Sequence, residues 1–260
     1  MSKSSQTKAS ARLGDEIAAA AIFLTRLPVR FDGPMPADLH GRALGWYPVV
    51  GAGLGLAAGA VYAVATLLGL TSTAAALLAL GVQVMVTGAL HEDGLADVAD
   101  GFGGGRDKMA KLAIMRDSRL GSYGVLALLF SLGLRWSALA ALADPLAVAA
   151  ALIGAGALSR AMVPAVYGYL DPARTDGLAA ELGAPPGTRI AMALALGICL
   201  AGLALGPVAL PVLAAAIVAA LAIAELARAQ IGGHTGDVLG ACQQAVEIAV
   251  LLVLATMMLP

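Results

Sequence analysis

Uncharged apolar runs of about twenty residues follow one another along most of this chain, and that spacing constrains its fold more than any single motif. A bilayer core about 30 Å thick takes roughly 20 apolar residues wound as a helix. Measured against that length, spans are expected at Leu44–Leu68, Thr73–Leu90, Tyr123–Ala143, Leu146–Leu170, Ile190–Leu205, Val208–Ala227 and Val238–Leu259, with Gly206-Pro207 breaking the fifth from the sixth. The segment Glu16 to Leu27 is too short and too flanked by charge to span, so it lies in the interface or enters the bundle partway. Composition agrees: the chain is 60% hydrophobic and 13% charged, against about 45–50% and 25% in soluble domains. No hydrophilic stretch is long enough to bury a core of its own. The expectation is an all-α, polytopic integral membrane helix bundle of about seven spans. It forms one domain over residues 1–260, with residues 1–43 cytoplasmic or interfacial and 44–260 in the bundle.

Basic residues fix the orientation, because Lys and Arg in short loops favour the cytoplasmic side. The connections at Gly69–Ser72, Asp144-Pro145 and Gly206-Pro207 carry no Lys or Arg. The opposite side collects Lys3, Lys8, Arg12, Arg26, Arg30, Arg42, Arg106, Lys108, Lys111, Arg116, Arg119, Arg174 and Arg189. Nearly all polar chemistry therefore faces the cytoplasm. A net charge of -1 supplies no basic face overall and excludes a nucleic-acid partner. Met1 to Arg12 is polar and basic with no apolar run behind it, which argues against a cleaved signal peptide. Cys199 and Cys242 lie in apolar runs and read as packing residues. Gly51, Gly55 and Gly59 have the small-xxx-small spacing that lets helices approach closely. Packing within the bundle accounts for that stripe, and a homo-oligomer is neither required nor excluded.

One stretch departs from the apolar pattern: His91-Glu92-Asp93-Gly94-Leu95-Ala96-Asp97-Val98-Ala99-Asp100-Gly101, then Phe102-Gly103-Gly104-Gly105-Arg106. Asp93, Asp97 and Asp100 stand at i, i+4 and i+7, which on a helix puts three carboxylates on one face. Like charges at that spacing repel, and Mg²⁺, a hard cation that prefers oxygen ligands, would compensate them. A solvated acidic helix end is the plainer reading. It does not account for the glycines, which suit close approach by a ligand, nor for the cations Arg106, Lys108, Lys111, Arg116 and Arg119 that follow. Carboxylates for metal, a glycine-rich turn and a basic helix together describe a phosphate or pyrophosphate site. The basic segment also suits anionic lipid, and the two roles are compatible.

A second island, Gly232-Gly233-His234-Thr235-Gly236-Asp237, falls on the same predicted side and offers Asp237 as a further metal carboxylate and His234 as a base alongside His91. Among intramembrane charges, Arg160 is placed either in a pair with Glu225 or Glu247 or in contact with substrate, and Glu225 and Arg228 are i, i+3 neighbours.

The residues 88–107 and Ile114-Met-Arg-Asp-Ser-Arg-Leu-Gly-Ser-Tyr-Gly124 resemble the cobalamin synthase family, the adenosylcobinamide-GDP ribazoletransferases. Phe23-Leu-Thr-Arg-Leu-Pro-Val29, Gly45-Trp-Tyr-Pro-Val-Val-Gly51, Ser159-Arg160 and residues 232–240 extend the resemblance over the chain. It implies a multi-pass enzyme of the bacterial inner membrane, with its active site facing the cytoplasm, acting late in vitamin B12 assembly. A hydroxyl of α-ribazole, or of its 5'-phosphate, would attack the cobinamide-side phosphorus of adenosylcobinamide-GDP with release of GMP and with Mg²⁺ as cofactor. The site would then comprise Asp93, Asp97, Asp100, His91 and His234, metal on the first three and Asp237, and phosphate contacts from Arg26, Arg106, Lys108, Lys111, Arg116, Arg119 and Arg160. Two positions depart from the family pattern: Glu92 stands where an aliphatic residue is usual, and Val98 where a small hydroxyl residue is usual. Glu92 is therefore left out of the site.

Two other readings share some of these features. A CDP-alcohol phosphotransferase making phospholipid would carry an Ala-Arg pair after Asp-Gly and two further Asp residues four apart. Here Phe-Gly-Gly-Gly-Arg106 follows Gly101, and Asp107 and Asp117 are ten apart. A cation-coupled transporter would place its carboxylates near the midplane of repeated halves, and no second copy of this segment exists. The topology is testable: in a background lacking Cys199 and Cys242, single cysteines at Lys108 and Gly233 should react only with reagent supplied from the cytoplasm, and periplasmic labelling of either would overturn the orientation.

Overall fold

The computed structural model describes residues 13–31, 36, 38–176 and 185–257. Lys3, Lys8 and Arg12, and the end of the last expected span at Leu259, lie outside the described residues. Among the described residues eleven α-helices run in chain order: α1 (Leu13–Leu24), α2 (Leu39–Ala43), α3 (Tyr47–Leu67), α4 (Ser72–Thr87), α5 (Leu90–Gly104), α6 (Lys108–Ile114), α7 (Ser122–Leu142), α8 (Pro145–Tyr169), α9 (Gly187–Leu205), α10 (Ala209–Ile231) and α11 (Gly236–Met257). Short 3₁₀ turns precede α3 and α10. Among the described residues there is no strand, only one bridge between Pro172 and His234.

Local chemistry sets the boundaries. The Thr71 hydroxyl caps α4 by accepting from the amide of Ala74, and the Asp144 carboxylate caps α8 at Ala147, where Pro145 fits a first turn that needs no amide. Gly88 ends α4 in the left-handed region at φ 65°. Ala89 follows at φ 58°, a conformation that costs a residue with a Cβ about 1–2 kcal/mol. These two residues turn the chain by 89° into α5. The expected span Thr73–Leu90 thus stops at Thr87, because two successive left-handed residues cannot continue a helix.

Five stretches among the described residues are long and apolar enough to cross a bilayer: Leu39–Leu67, Ser122–Leu142, Pro145–Tyr169, Gly187–Ile231 and Gly236–Met257, with the bent α4–α5 pair a sixth. The 45-residue stretch would be about 67 Å long if straight. It breaks at Gly206, φ 59°. Ile190 lies against Gly168 and Leu205 against Gly154, while Glu225 on α10 accepts from Tyr169 at the same end of α8. The chain therefore runs out along α8 and returns, making α9 and α10 separate helices. Exposed leucines such as Leu67, Leu146 and Leu203 form a lipid-facing surface.

The core is built from small residues. Helices α8 and α11 are the central pair, 72% and 67% buried over their apolar length, against 22–44% for the other three long apolar stretches. A Cβ added to Gly55 would come within 2.7 Å of the backbone of Ile153, and one on Gly59 within 2.8 Å of Ala149 Cα. The glycine stripe of α3 therefore packs on α8 inside the bundle. A buried charge network lies alongside. Arg135 donates to Glu247 at 3.2 Å and to Glu92 at 3.1 Å, and Arg160 donates to Glu247 at 2.8 Å. Gln243 donates to Glu247 at 2.5 Å and Gln244 to Glu92 at 3.1 Å. Of the two pairings open to Arg160, the structure forms the one with Glu247, while Glu225 pairs with Arg228.

The α3–α8 crossing distinguishes two glycines of α3 that are two residues apart, Gly53 and Gly55. Gly55→Ala should destabilise the detergent-solubilised protein by about 1–3 kcal/mol through overpacking. Gly53→Ala, whose Cβ meets nothing within 4 Å, should leave thermal unfolding unchanged or raise its midpoint. Equal destabilisation by both would disprove the packing.

Candidate active site

Helix α5 runs across one end of the bundle. Gly94 faces Asp237 and Gly240 in the first turns of α11, where a Cβ would stand 2.8 Å from the Asp237 carbonyl and 3.3 Å from Gly240 Cα. Farther along, Asp100 meets the start of α7. The glycine at 94 thus lets two helices touch so that Asp93 and Asp97 come up beside Asp237. Burial, then the charges of Asp93, Asp237 and Asp100, push the Asp97 carboxyl up to about 7. These carboxylates are close enough to resist sharing their charge. Among the described residues, no group of three His, Cys, Asp or Glu side chains is drawn together as a metal-ligand set.

Asp100 is used differently from its neighbours. Its two oxygens accept from the amides of Gly121 at 2.7 Å and Gly124 at 2.9 Å, and it is buried. A Cβ at either glycine would run into that carboxylate. Asp100 therefore caps the entry into α7. The run Gly103–Gly105, expected as an open turn facing anions, is instead the closing turn of α5 and its C-cap. The ring of Tyr123 lies where a Cβ on Gly103 would stand.

The loop before α11 is held by the loop after α8. His234 donates its amide to the Asp171 carbonyl, and Ala173 donates back to the His234 carbonyl, both at 2.9 Å. Gly233 permits this approach, since a Cβ there would strike the Asp171 carbonyl. The His234 ring sits edge-on to Tyr167, centroids 4.8 Å apart, and its Nδ1 is buried without a hydrogen-bond partner. Burial holds its imidazole below the ordinary value. The same clasp sets Arg174 3.9 Å from Asp237, with its Nη1 buried and unpartnered. In the sequence Arg174 is only one loop charge among several. Its role depends on a contact between segments sixty residues apart, which no local pattern announces.

The cations separate into bound and unbound. Arg116 donates to both oxygens of Asp176 at 2.5 Å, Arg119 is held by Asp117, and Lys111 bonds Gln230. Arg160 belongs to the interior network. Arg106 and Lys108 are exposed, and among the described residues neither has a partner; Lys108 lies near Gly232. Arg26, also exposed, lies across Gly88 and donates its amide to Val86 at 2.7 Å. His91, Asp93 and Asp237 line a cavity of about 430 Å³ between α1, α2, α3, α5, α8 and α11. His234 does not line it.

The sequence model of the cobalamin-5-phosphate synthase family matches residues 16–255, nearly the whole described chain. The chain belongs to that family. It is 52% identical over 237 residues to the adenosylcobinamide-GDP ribazoletransferase of Bradyrhizobium diazoefficiens, covering 91% of each protein. It is 43% identical to the enzyme of that name from Mesorhizobium japonicum, covering 92% of each, and 42% identical to that from Rhizobium meliloti, covering 94% of this chain and 97% of the relative. No solved structure matches the chain.

The two kinds of carboxylate should respond differently to substitution. Asp100→Ala removes a charged acceptor from two buried amides and should cost the fold about 1.5–3 kcal/mol, visible as a lowered thermal midpoint. Asp93→Asn, at an exposed position relieved of repulsion, should keep the wild-type midpoint while losing turnover. A normal midpoint for Asp100→Ala would disprove its capping role.

Proposed function

We propose that this chain is itself an adenosylcobinamide-GDP ribazoletransferase of the bacterial inner membrane, with the end of the bundle that carries α5 and α6 facing the cytoplasm. It joins the cobinamide-phosphate half of adenosylcobinamide-GDP to α-ribazole or its 5'-phosphate and releases GMP. The observation that carries the reading is the approach of Asp93, Asp97 and Asp237 to one another where α5 lies on the start of α11.

The carboxylate cluster fits a divalent cation in chemistry: its donors are hard oxygens, the charges of Asp93 and Asp237 help raise the proton affinity of Asp97, and Arg174 at 3.9 Å from Asp237 is the one cation paired with the cluster among the described residues. Asp93, Asp97 and Asp237 would hold Mg²⁺, with Asp100 supporting the helix that presents them. Bound there, the metal would neutralise the pyrophosphate oxygens and polarise the bond being broken. The protein's own groups do the rest. Arg106, at the end of α5, and Lys108, at the start of α6, hold the phosphate oxygens, and Arg26 closes the same side. His91, one of two histidines lining the cavity and next to Asp93 on its wall, would take the proton of the attacking ribose hydroxyl. His234 instead braces Tyr167.

The planar fork of a guanidinium grips phosphate in a way an ammonium does not. Arg106→Lys should therefore lower kcat by about tenfold or more in neutral detergent, where an anionic surface plays no part. Arg119→Lys, already occupied by Asp117, should change it little. GMP release from adenosylcobinamide-GDP, dependent on both α-ribazole and Mg²⁺, is the measurement; no release by the unsubstituted protein would remove the proposal.

A further inference from the structure

Resting on that reading, we infer that the cavity beside the carboxylates is the pocket for the base of the acceptor, a flat, largely apolar benzimidazole nucleoside, and that the nucleotide half of the donor lies outside it. Its walls are Phe23, Leu44, Tyr47, Val163, Tyr167 and Leu239, contributed by four helices and the 3₁₀ turn before α3. Phe23 and Tyr47 are stacked, centroids 5.8 Å apart and 14° from parallel, so they present rigid aromatic surface rather than mobile side chains. About 430 Å³ lies within the range of small-ligand sites, about 300–1,000 Å³, and is too small for a corrin macrocycle with its substituents.

Charge decides between the two nucleoside-like groups left. Among the described residues no Lys or Arg lines the cavity; its charged lining is Asp93, Asp237 and Asp38, the last 3.8 Å from Arg42, with the imidazoles of His40 and His91. A guanosine diphosphate would bring its phosphates towards carboxylates with no lining cation to hold them. A neutral benzimidazole buries apolar rings against the aromatic walls and leaves its ribose hydroxyls at Asp93, Asp237 and His91. That places the nucleophile next to the metal-type carboxylates, and the anionic pyrophosphate on the Arg106 and Lys108 side. The two substrates would then approach the reacting phosphorus from opposite sides, as a displacement in line requires.

Two fillers from different walls test this. Val163→Phe projects into the cavity from α8. Gly41→Leu projects from α2, where a Cβ meets only Pro186, at an ordinary 3.5 Å. Each should raise KM for α-ribazole by about tenfold or more and leave KM for adenosylcobinamide-GDP within about twofold. A rise in KM for adenosylcobinamide-GDP instead would assign the pocket to the nucleotide, and unchanged KM for both substrates would assign it to neither; either result overturns the proposal. If both variants unfold in detergent, α-ribazole alone should change the fluorescence of Trp46, next to Tyr47, in a Trp136→Phe background, and no change overturns the proposal. Absence of GMP release by the unsubstituted protein is a separate failure, that of the ribazoletransferase reading itself.

Discussion

Two arginines and two glutamates buried in the bundle interior fix how the rest of this molecule is arranged. Arg135, Arg160, Glu92 and Glu247 are all below 8% exposed, and isolated charges in such surroundings cost several kcal/mol apiece. They are tolerated because the set is neutral and each member touches another. Glu247 receives both arginines, Arg135 bridges to Glu92, and Gln243 and Gln244 occupy further lone pairs. Helices α5, α7, α8 and α11 each contribute a member. Moving any one of them along its axis would leave a buried charge unpaired, a penalty of about 3–5 kcal/mol. Apolar contacts between Ala- and Gly-rich helices are permissive about register by comparison, because lipid is as apolar as a neighbouring helix.

The site inherits its geometry from this constraint. Glu92 is anchored at the start of α5, so Asp93 and Asp97 follow at fixed positions along the same helix. Gly94 and Gly240 then let α5 lie directly on α11, and Asp237 arrives from the other side. Asp100 fastens the far end of α5 to the entry of α7 through two backbone amides. A helix held at both ends can keep like-charged carboxylates together against their repulsion. Stability is given up at the site and recovered in the structural bonds on either side of it.

Much of this was legible in the sequence, and the parts that were not share a cause. The apolar runs marked the long helices, and the charge-free loops marked one end of the bundle. The spacing of Asp93, Asp97 and Asp100 marked the acidic face. What the spacing could not separate is a carboxylate left without backbone partners from one that caps a turn. Asp97 and Asp100 differ only in what the loop at 121–124 does, and that loop is twenty residues away. The same holds for the cations: Arg116 and Arg119 look like Arg106 until Asp176 and Asp117 are seen to hold them. Arg174 and the His234 clasp depend on two loops meeting across the bundle end. The bend at Gly88-Ala89 escaped notice because Ala89 is an ordinary helix former held in a left-handed conformation by its surroundings.

Glu92 shows how a departure from a family pattern becomes intelligible once its neighbours are known. Judged by the resemblance, it replaces an aliphatic residue and carries no chemistry; placed in the bundle, it is the counter-charge of Arg135, which otherwise has Glu247 to share with Arg160. Without Glu92 the interior would hold two guanidinium groups against one carboxylate, a net positive charge in a region that hydrates poorly. With it the charges balance, and one Glu92 oxygen accepts from both Arg135 and Gln244. The residue one position before the acidic face therefore acts on that face indirectly, by deciding where along α11 the helix begins. The exposed carboxylate of Asp93 and the buried counter-charge of Glu92 are parts of one device, joined by a single peptide bond.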